Sequence, residues 1–141
     1  MAKMMSVCGV LCSDCPAYHG NVRGVAYQKR TAVAWQRIYG LNERAENISC
    51  AGCLGPDDGI FRTSRSCKAR RCCRSKGLSS CAGCPVESCP DLENAQSVWD
   101  GVPDLAKTLS RRDFVTYAQP YCGHRRRLAA ARAKGKKIPG A

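Results

Sequence analysis

The cysteines are the residues of this chain that could do chemistry. There are twelve among 141 residues, and eight of them fall within one stretch of forty. That stretch contains CAGC at 50–53, C-x4-CC at 67–73 and CAGC-x4-C at 81–89, while C-x3-C-x2-C lies near the start at 8–15. A Cys-x2-Cys pair that includes glycine can fold two thiolates around one ion, as in zinc knuckles. The sequence therefore predicts a metal-binding protein, with these candidate ligands: Cys8, Cys12, Cys15, Cys50, Cys53, Cys67, Cys72, Cys73, Cys81, Cys84, Cys89 and Cys122.

The composition explains why such a chain would need metal. Leu, Ile, Val and Phe total only 23 of 141 residues and the formal net charge is +12, so little apolar surface is available to offset the entropy of folding. Either disulfides or metal could supplement this core. The N-terminus lacks the apolar segment of a secretory signal, and no run of eighteen apolar residues occurs. We therefore predict a cytoplasmic protein that does not associate with membranes, in which thiols stay reduced and metal is the better supplement.

The twelve cysteines divide without remainder into three groups of four. The simplest division gives one site Cys50, Cys53, Cys67 and Cys72, a second Cys73, Cys81, Cys84 and Cys89, and a third Cys8, Cys12, Cys15 and Cys122. The adjacent residues Cys72 and Cys73 would then face opposite sites, as neighbouring side chains do in extended backbone. An exchange of Cys67 with Cys73 stays open, as does a substitute for Cys122.

Two metals suit such ligands. Zinc held by four thiolates is the usual occupant of paired knuckles and contributes roughly 10 kcal/mol or more of folding free energy per site. The three-thiol runs, and the prolines that follow Cys15, Cys84 and Cys89, are instead typical of iron–sulfur proteins. We predict Zn²⁺, with 4Fe-4S clusters as the alternative. The two histidines, His19 and His124, could each replace a cysteine, but we expect both imidazoles to be exposed.

Short helices are expected to position these cysteines. Apolar residues recur at helical spacing over residues 22–39, with Asn21 as the N-cap and Gly40 at the end. Further helical patterns follow Asp91, with a break at 102–104 and an end at Pro120, and the last predicted helix covers 125–134. The predicted fold is a small, mainly α protein with irregular cysteine-rich loops, in which several short helices pack around Cys-ligated metal sites. We expect one domain over 1–134 and a basic flexible tail over 135–141.

The compound cysteine pattern resembles a known family. CGVLCSDCPAY at 8–18, CAGC at 50–53 and the run from C-x4-CC to CPDL at 67–92 are similar to a small cysteine-rich prokaryotic family of unknown function. The likeness extends over roughly residues 6–133. The resemblance implies metal binding through these cysteines and does not imply any particular activity. Cys122 has no counterpart in the family pattern, so its role as a ligand rests on counting alone.

Two basic segments are the second functional clue. The first begins at Arg62 and ends at Lys76, and the second begins at Arg125 and ends at Lys137; each carries seven cations and no acid. Such segments attract phosphates, so nucleic acid is a candidate partner, as is another protein. The competing explanation is that the cations compensate the charge of metal-bound thiolates.

The sequence contains no motif that indicates catalysis. The sequence contains no P-loop, dinucleotide fingerprint, HExxH or G-x-S-x-G. The predicted function is structural metal binding in a binding or adaptor module with basic patches. The alternative is an iron–sulfur electron-transfer or redox accessory protein.

Overall fold

Helices make up most of this computed structural model, which describes residues 3–86 and 88–136. The α-helices in chain order are α1 Val25–Tyr39, α2 Lys68–Ser75, α3 Pro90–Ser97, α4 Val102–Leu105, α5 Arg111–Tyr117 and α6 His124–Lys136. Between them lie short 3-10 turns at Cys12–Asp14, Ala45–Asn47, Asp57–Gly59, Arg62–Ser64, Cys81–Gly83 and Gln119–Tyr121. The described residues form no β-strand, only isolated bridges that pair Met5 with Leu11 and Tyr18 with Cys50. The predicted mainly helical class is confirmed.

Helix α1 begins three residues later than predicted. Gly24 precedes it with a φ of 109°, and Gly40 ends it in the left-handed region at φ 65°, a conformation that glycine adopts at little cost. Asn21, the predicted N-cap, lies outside the helix. Its side-chain amide donates to the carbonyl oxygens of Ser13 and Cys15 at 2.8 and 2.9 Å. This asparagine therefore fixes the turn that carries the N-terminal cysteines.

The segment around Cys72 and Cys73 is helical, so the expectation of extended backbone there is wrong. Both residues lie in α2, where successive side chains point about 100° apart and not in opposite directions. Cys73 shares the buried side of the helix with Ala69 and Arg70, while Cys72 is half-buried. The reason for assigning the two thiols to different sites is thereby removed.

The C-terminal helices agree with the sequence patterns to within a few residues. The predicted break at 102–104 is itself a short helix, α4, because Pro103 is tolerated in a first helical turn. Helix α6 begins one residue before its predicted start and continues through Gly135 to Lys136. The rest of the predicted basic tail, residues 137–141, lies outside the described residues.

Thiols form part of the hydrophobic core. The larger cluster of buried side chains packs Cys8, Cys73 and Cys81 among apolar residues, which include Val7, Val10, Leu92, Val102, Tyr121 and Leu128. A smaller cluster joins Trp35 of α1 to Ala17 and Ile48. The N-terminal loop, α2, the second CAGC turn and α6 therefore meet around sulfur atoms. None of the described helices has the length and apolar content that a bilayer crossing requires.

Candidate metal centres

The N-terminal cysteines lie beside those of the first CAGC knuckle, in a group that we call the first cysteine cluster. Its members are Cys8, Cys12, Cys15, Cys50, Cys53 and Cys67. The thiols of Cys12 and Cys53 affect each other's ionisation. Their interaction raises the pKa of Cys12 and lowers the pKa of Cys53, so Cys53 is the thiol of this pair that ionises more readily.

The remaining thiols of the first cluster disfavour one another's charged forms. Burial raises the pKa of Cys8, and the nearby thiols of Cys53 and Cys67 raise it further. Burial likewise raises the pKa of Cys15, to which Cys50 adds. A bound cation would reverse this preference for the neutral thiol, because metal ions favour the deprotonated thiolate.

Backbone contacts bring the N-terminal loop to the knuckle. His19 donates its N–H to the carbonyl oxygen of Cys50 at 2.7 Å. The sulfur of Cys50 accepts N–H groups from Gly52 and Phe61 at 3.4 and 3.3 Å, which orients it. Gly52 has a φ of 86°, and a Cβ atom there would lie 2.9 Å from the sulfur of Met4. The backbone conformation of this CAGC motif thus requires its glycine, whereas the flexible Met4 side chain could move away from a Cβ atom.

A second cysteine cluster surrounds one small cavity. The cavity measures about 40 Å³, which suits a single ion or water better than an organic ligand. The thiols that line it are Cys72, Cys73, Cys81, Cys84 and Cys89. The sulfurs of Cys73 and Cys81 are 3.5 Å apart, and two sulfurs bound at 2.3 Å to tetrahedral zinc are separated by about 3.8 Å. This pair is therefore at a separation close to that of two zinc ligands.

The thiols of the second cluster differ in their ease of ionisation. Burial raises the pKa of Cys81, and the adjacent Cys73 raises it further. The backbone N–H of Val86 lowers the pKa of Cys84, and the ammonium of Lys76, 3.5 Å from its sulfur, lowers it further. Cys84 thus ionises more readily than an ordinary cysteine, whereas the buried Cys81 favours the neutral thiol.

Cys122 belongs to neither cluster. Its thiol donates to the carbonyl oxygen of Ala118 at 3.3 Å, and burial raises its pKa. Within the described residues it forms no hydrogen bond with another thiol. The ionisation of Cys8, Cys12 and Cys15 is coupled to thiols of the first cluster, and the grouping of these three cysteines with Cys122 stays a prediction.

The donors suit a thiophilic metal, although neither cluster is a finished coordination shell. All twelve cysteines are free thiols. In residues 3–86 and 88–136, no three His, Cys, Asp or Glu side chains converge closely enough to hold an ion as they stand. The structure places thiols in pairs: the sulfurs of Cys73 and Cys81 are 3.5 Å apart, and Cys12 and Cys53 affect each other's ionisation. Metal binding would require further thiols of each cluster to rotate towards these pairs.

Arg70 is the residue near the clusters that the sequence analysis missed. Its side chain is 0% exposed, and its guanidinium contacts the first knuckle at three points. Nε donates to the carbonyl oxygen of Cys53 at 3.0 Å, Nη2 to that of Gly55 at 2.7 Å, and Nη1 pairs with Asp57 at 2.7 Å. The available signal was its position three residues before Cys73, on the same side of a helix. Arg70 joins the knuckle of the first cluster to the helix that carries part of the second.

The two histidines are in different environments. His19 is exposed, as expected. His124 is only 5% exposed, so the expectation of a second exposed imidazole is wrong. Its Nε2 lies 2.8 Å from the carbonyl oxygen of Gln96 and 3.2 Å from a carboxylate oxygen of Asp100. These contacts join α6 to the C-terminal end of α3.

Comparison with known proteins adds one finding. A family model described as "Protein of unknown function (DUF3795)" matches residues 4–94. The match contains both cysteine clusters and leaves out Cys122. It confirms, over that range, the resemblance to a family of unknown function. No curated protein and no solved structure matches the chain significantly.

Proposed function

Because the chain belongs to the DUF3795 family, whose function is unknown, we propose from its own residues that it is a structural zinc-binding protein that acts as a binding or adaptor module. The observation that carries this proposal is the gathering of eleven free thiols into two clusters. Burial disfavours the thiolates of Cys8, Cys15 and Cys81, and a soft divalent cation would favour them.

The ligands would come from the two clusters and not from three groups of four. In the first cluster, Cys8, Cys12, Cys53 and Cys67 are the favoured set, because Cys53 acts on the ionisation of both Cys8 and Cys12, and Cys67 acts on that of Cys8. In the second, the five thiols around the cavity offer one more than tetrahedral zinc needs. When bound, zinc would supply the stability that a chain with few large apolar residues otherwise lacks.

Metal analysis of cysteine variants tests this proposal. The protein is purified under anaerobic conditions, and zinc and iron per chain are measured by mass spectrometry. We expect a colourless zinc protein in which Cys53→Ser and Cys81→Ser each lose the metal of one cluster, whereas Cys122→Ser keeps the full content. Wild-type protein that folds without metal, with all its thiols open to a thiol reagent, would overturn the proposal. Loss of metal on Cys122→Ser would instead restore the three-group arrangement.

An iron–sulfur protein is the second candidate. It is favoured by the five thiols around one cavity and by the prolines that follow Cys84 and Cys89. A brown preparation whose visible absorption disappears on oxidation, with iron and sulfide in equal amounts, would establish this alternative. A redox or electron-transfer role would then replace the structural one.

A further inference from the structure

Helix α2 and the turn before it present a ridge of positive charge, which we call the central basic face. It consists of Arg65, Lys68, Arg71 and Arg74, all of them exposed. In an α-helix, residues three apart are displaced by about 60° around the axis and about 4.5 Å along it, so Lys68, Arg71 and Arg74 form a continuous row. The opposite side of α2 is buried through Ala69, Arg70 and Cys73.

No acid of the described chain forms an ion pair with a cation of this face. Of the seven cations in residues 62–76, the ion pairs found among the described residues involve only Arg62, with Glu43, and Arg70, with Asp57. The arginines of the face donate to backbone oxygens instead. Arg71 donates through Nε to the carbonyl oxygen of Arg65 at 3.1 Å, and Arg74 through Nη1 to that of Gly55. These contacts orient the guanidinium groups and leave their positive charge available.

We propose that the central basic face binds the phosphodiester backbone of nucleic acid without reading its sequence. Three of the four cations are arginines, whose planar donors match phosphate oxygens. The face contains no aromatic side chain on which a base could stack, so its contacts would be to the backbone.

A lipid surface fits this face less well, because peripheral membrane binding needs apolar side chains beside the cations. None of the large apolar side chains found exposed in the described residues lies on α2: Val25, Val33, Leu54, Val86, Val98, Leu105 and Val115. Nucleic acid is therefore the polyanion that the composition of the face favours.

This inference rests on the proposed function, because metal would hold the helix that presents the cations. Helix α2 has only eight residues, follows Cys67 directly and contains Cys72 and Cys73. A helix of that length is marginal without tertiary support. We therefore expect binding by the metal-loaded protein to weaken when a chelator removes the metal.

Fluorescence anisotropy of the full metal-loaded chain tests the proposal, with labelled duplex DNA and single-stranded RNA of mixed sequence over a range of salt concentrations. Four phosphate contacts on duplex DNA predict a slope of log K against log salt of roughly −3.6. Lys68→Gln with Arg71→Gln should reduce that slope by about 1.8. The matched control is Arg111→Gln with Arg112→Gln, which removes the same charge from exposed positions of α5 and should leave the slope unchanged.

Three outcomes would overturn the proposal: an unchanged slope in the α2 variant, equal losses in both variants, or binding to phosphatidylserine vesicles but not to either nucleic acid. Metal content is measured for every variant. A variant that loses nucleic-acid binding but retains its metal then shows the effect of the face alone. Wild-type protein that binds nucleic acid but contains no metal would contradict the proposed function and leave the face in place.

Discussion

The two basic segments carry the same formal charge but differ in what their cations contact. Residues 62–76 and 125–137 each contain seven cations and no acid. In the first segment, four cations form the central basic face and only Arg70 is buried. In the second, Arg125, Arg127 and Arg132 all bind other parts of the protein.

The contacts of the second segment fasten α6 to the rest of the molecule. Arg125 forms paired hydrogen bonds with the carboxylates of Glu93 and Asp100. Arg132 donates to the carbonyl oxygen of Cys81 at 2.7 Å, within the second cysteine cluster. The central basic face differs because its arginines contact only backbone oxygens, form no ion pair with a carboxylate of the described residues and stay exposed. For that reason the nucleic-acid proposal rests on the central segment alone.

The largest expected loss of stability comes from replacing Arg70, the one buried cation of residues 62–76. Arg70→Met removes the donors to Cys53, Gly55 and Asp57, and hydrogen bonds from a charged group contribute about 1.5–3 kcal/mol each. Because losses within one network are not additive, we expect the free energy of unfolding to fall by about 3 kcal/mol in urea denaturation. The control, Arg71→Met, changes an exposed neighbour and should stay within about 0.5 kcal/mol. Equal effects would mean that Arg70 does not hold the knuckle.

A smaller effect is expected from Arg127 in the C-terminal segment. Its guanidinium donates to the carbonyl oxygens of Gly9 and Cys122, and burial lowers its pKa. Arg127→Met should reduce the free energy of unfolding by about 1–2 kcal/mol, whereas Arg126→Met, at an exposed position, should be nearly neutral. Similar losses from both would show that the C-terminal arginines act through net charge and not through individual contacts.

The smallest expected effect is on acid sensitivity. The hydrogen bond from Arg70 lowers the pKa of Asp57, with support from the charges of Arg74 and Arg71, and the hydrogen bond from Arg125 lowers the pKa of Asp100. A carboxyl whose pKa is lower in the folded state stabilises the fold above its ordinary pKa. This contribution is lost as pH falls through the folded-state value.

Melting temperatures of wild type, Asp57→Asn and Asp100→Asn between pH 7 and pH 2.5 would measure this loss. Each variant should melt below wild type at neutral pH and approach it in acid. Added salt should reduce the difference for Asp100 more, because Arg125 is partly exposed whereas Arg70 is buried. A difference that persists at the lowest pH would assign the effect to packing instead of charge.

Local signals in the sequence were reliable where they depended on a few neighbouring residues. Gly40 ends α1 as predicted, and Gly52 of the first CAGC motif has the positive φ that favours glycine. The prediction of Asn21 as an N-cap was wrong because an asparagine side chain can bind backbone groups of a loop as readily as those at the start of a helix. Here it donates to the carbonyl oxygens of Ser13 and Cys15. The prediction of extended backbone at Cys72 and Cys73 was wrong because two adjacent cysteines do not show whether the side-chain repeat is that of a strand or of a helix.

By itself the sequence determined that this is a small, mainly helical, cysteine-rich protein with few large apolar residues, because composition, glycine positions and apolar spacing are local properties. Only the tertiary structure decided which thiols meet and which cations remain free. Cys8 and Cys53 are 45 residues apart, and Arg132 reaches Cys81 across 51. Contacts at such separation depend on how α2, α3 and α6 pack, and spacing along the chain does not encode that packing.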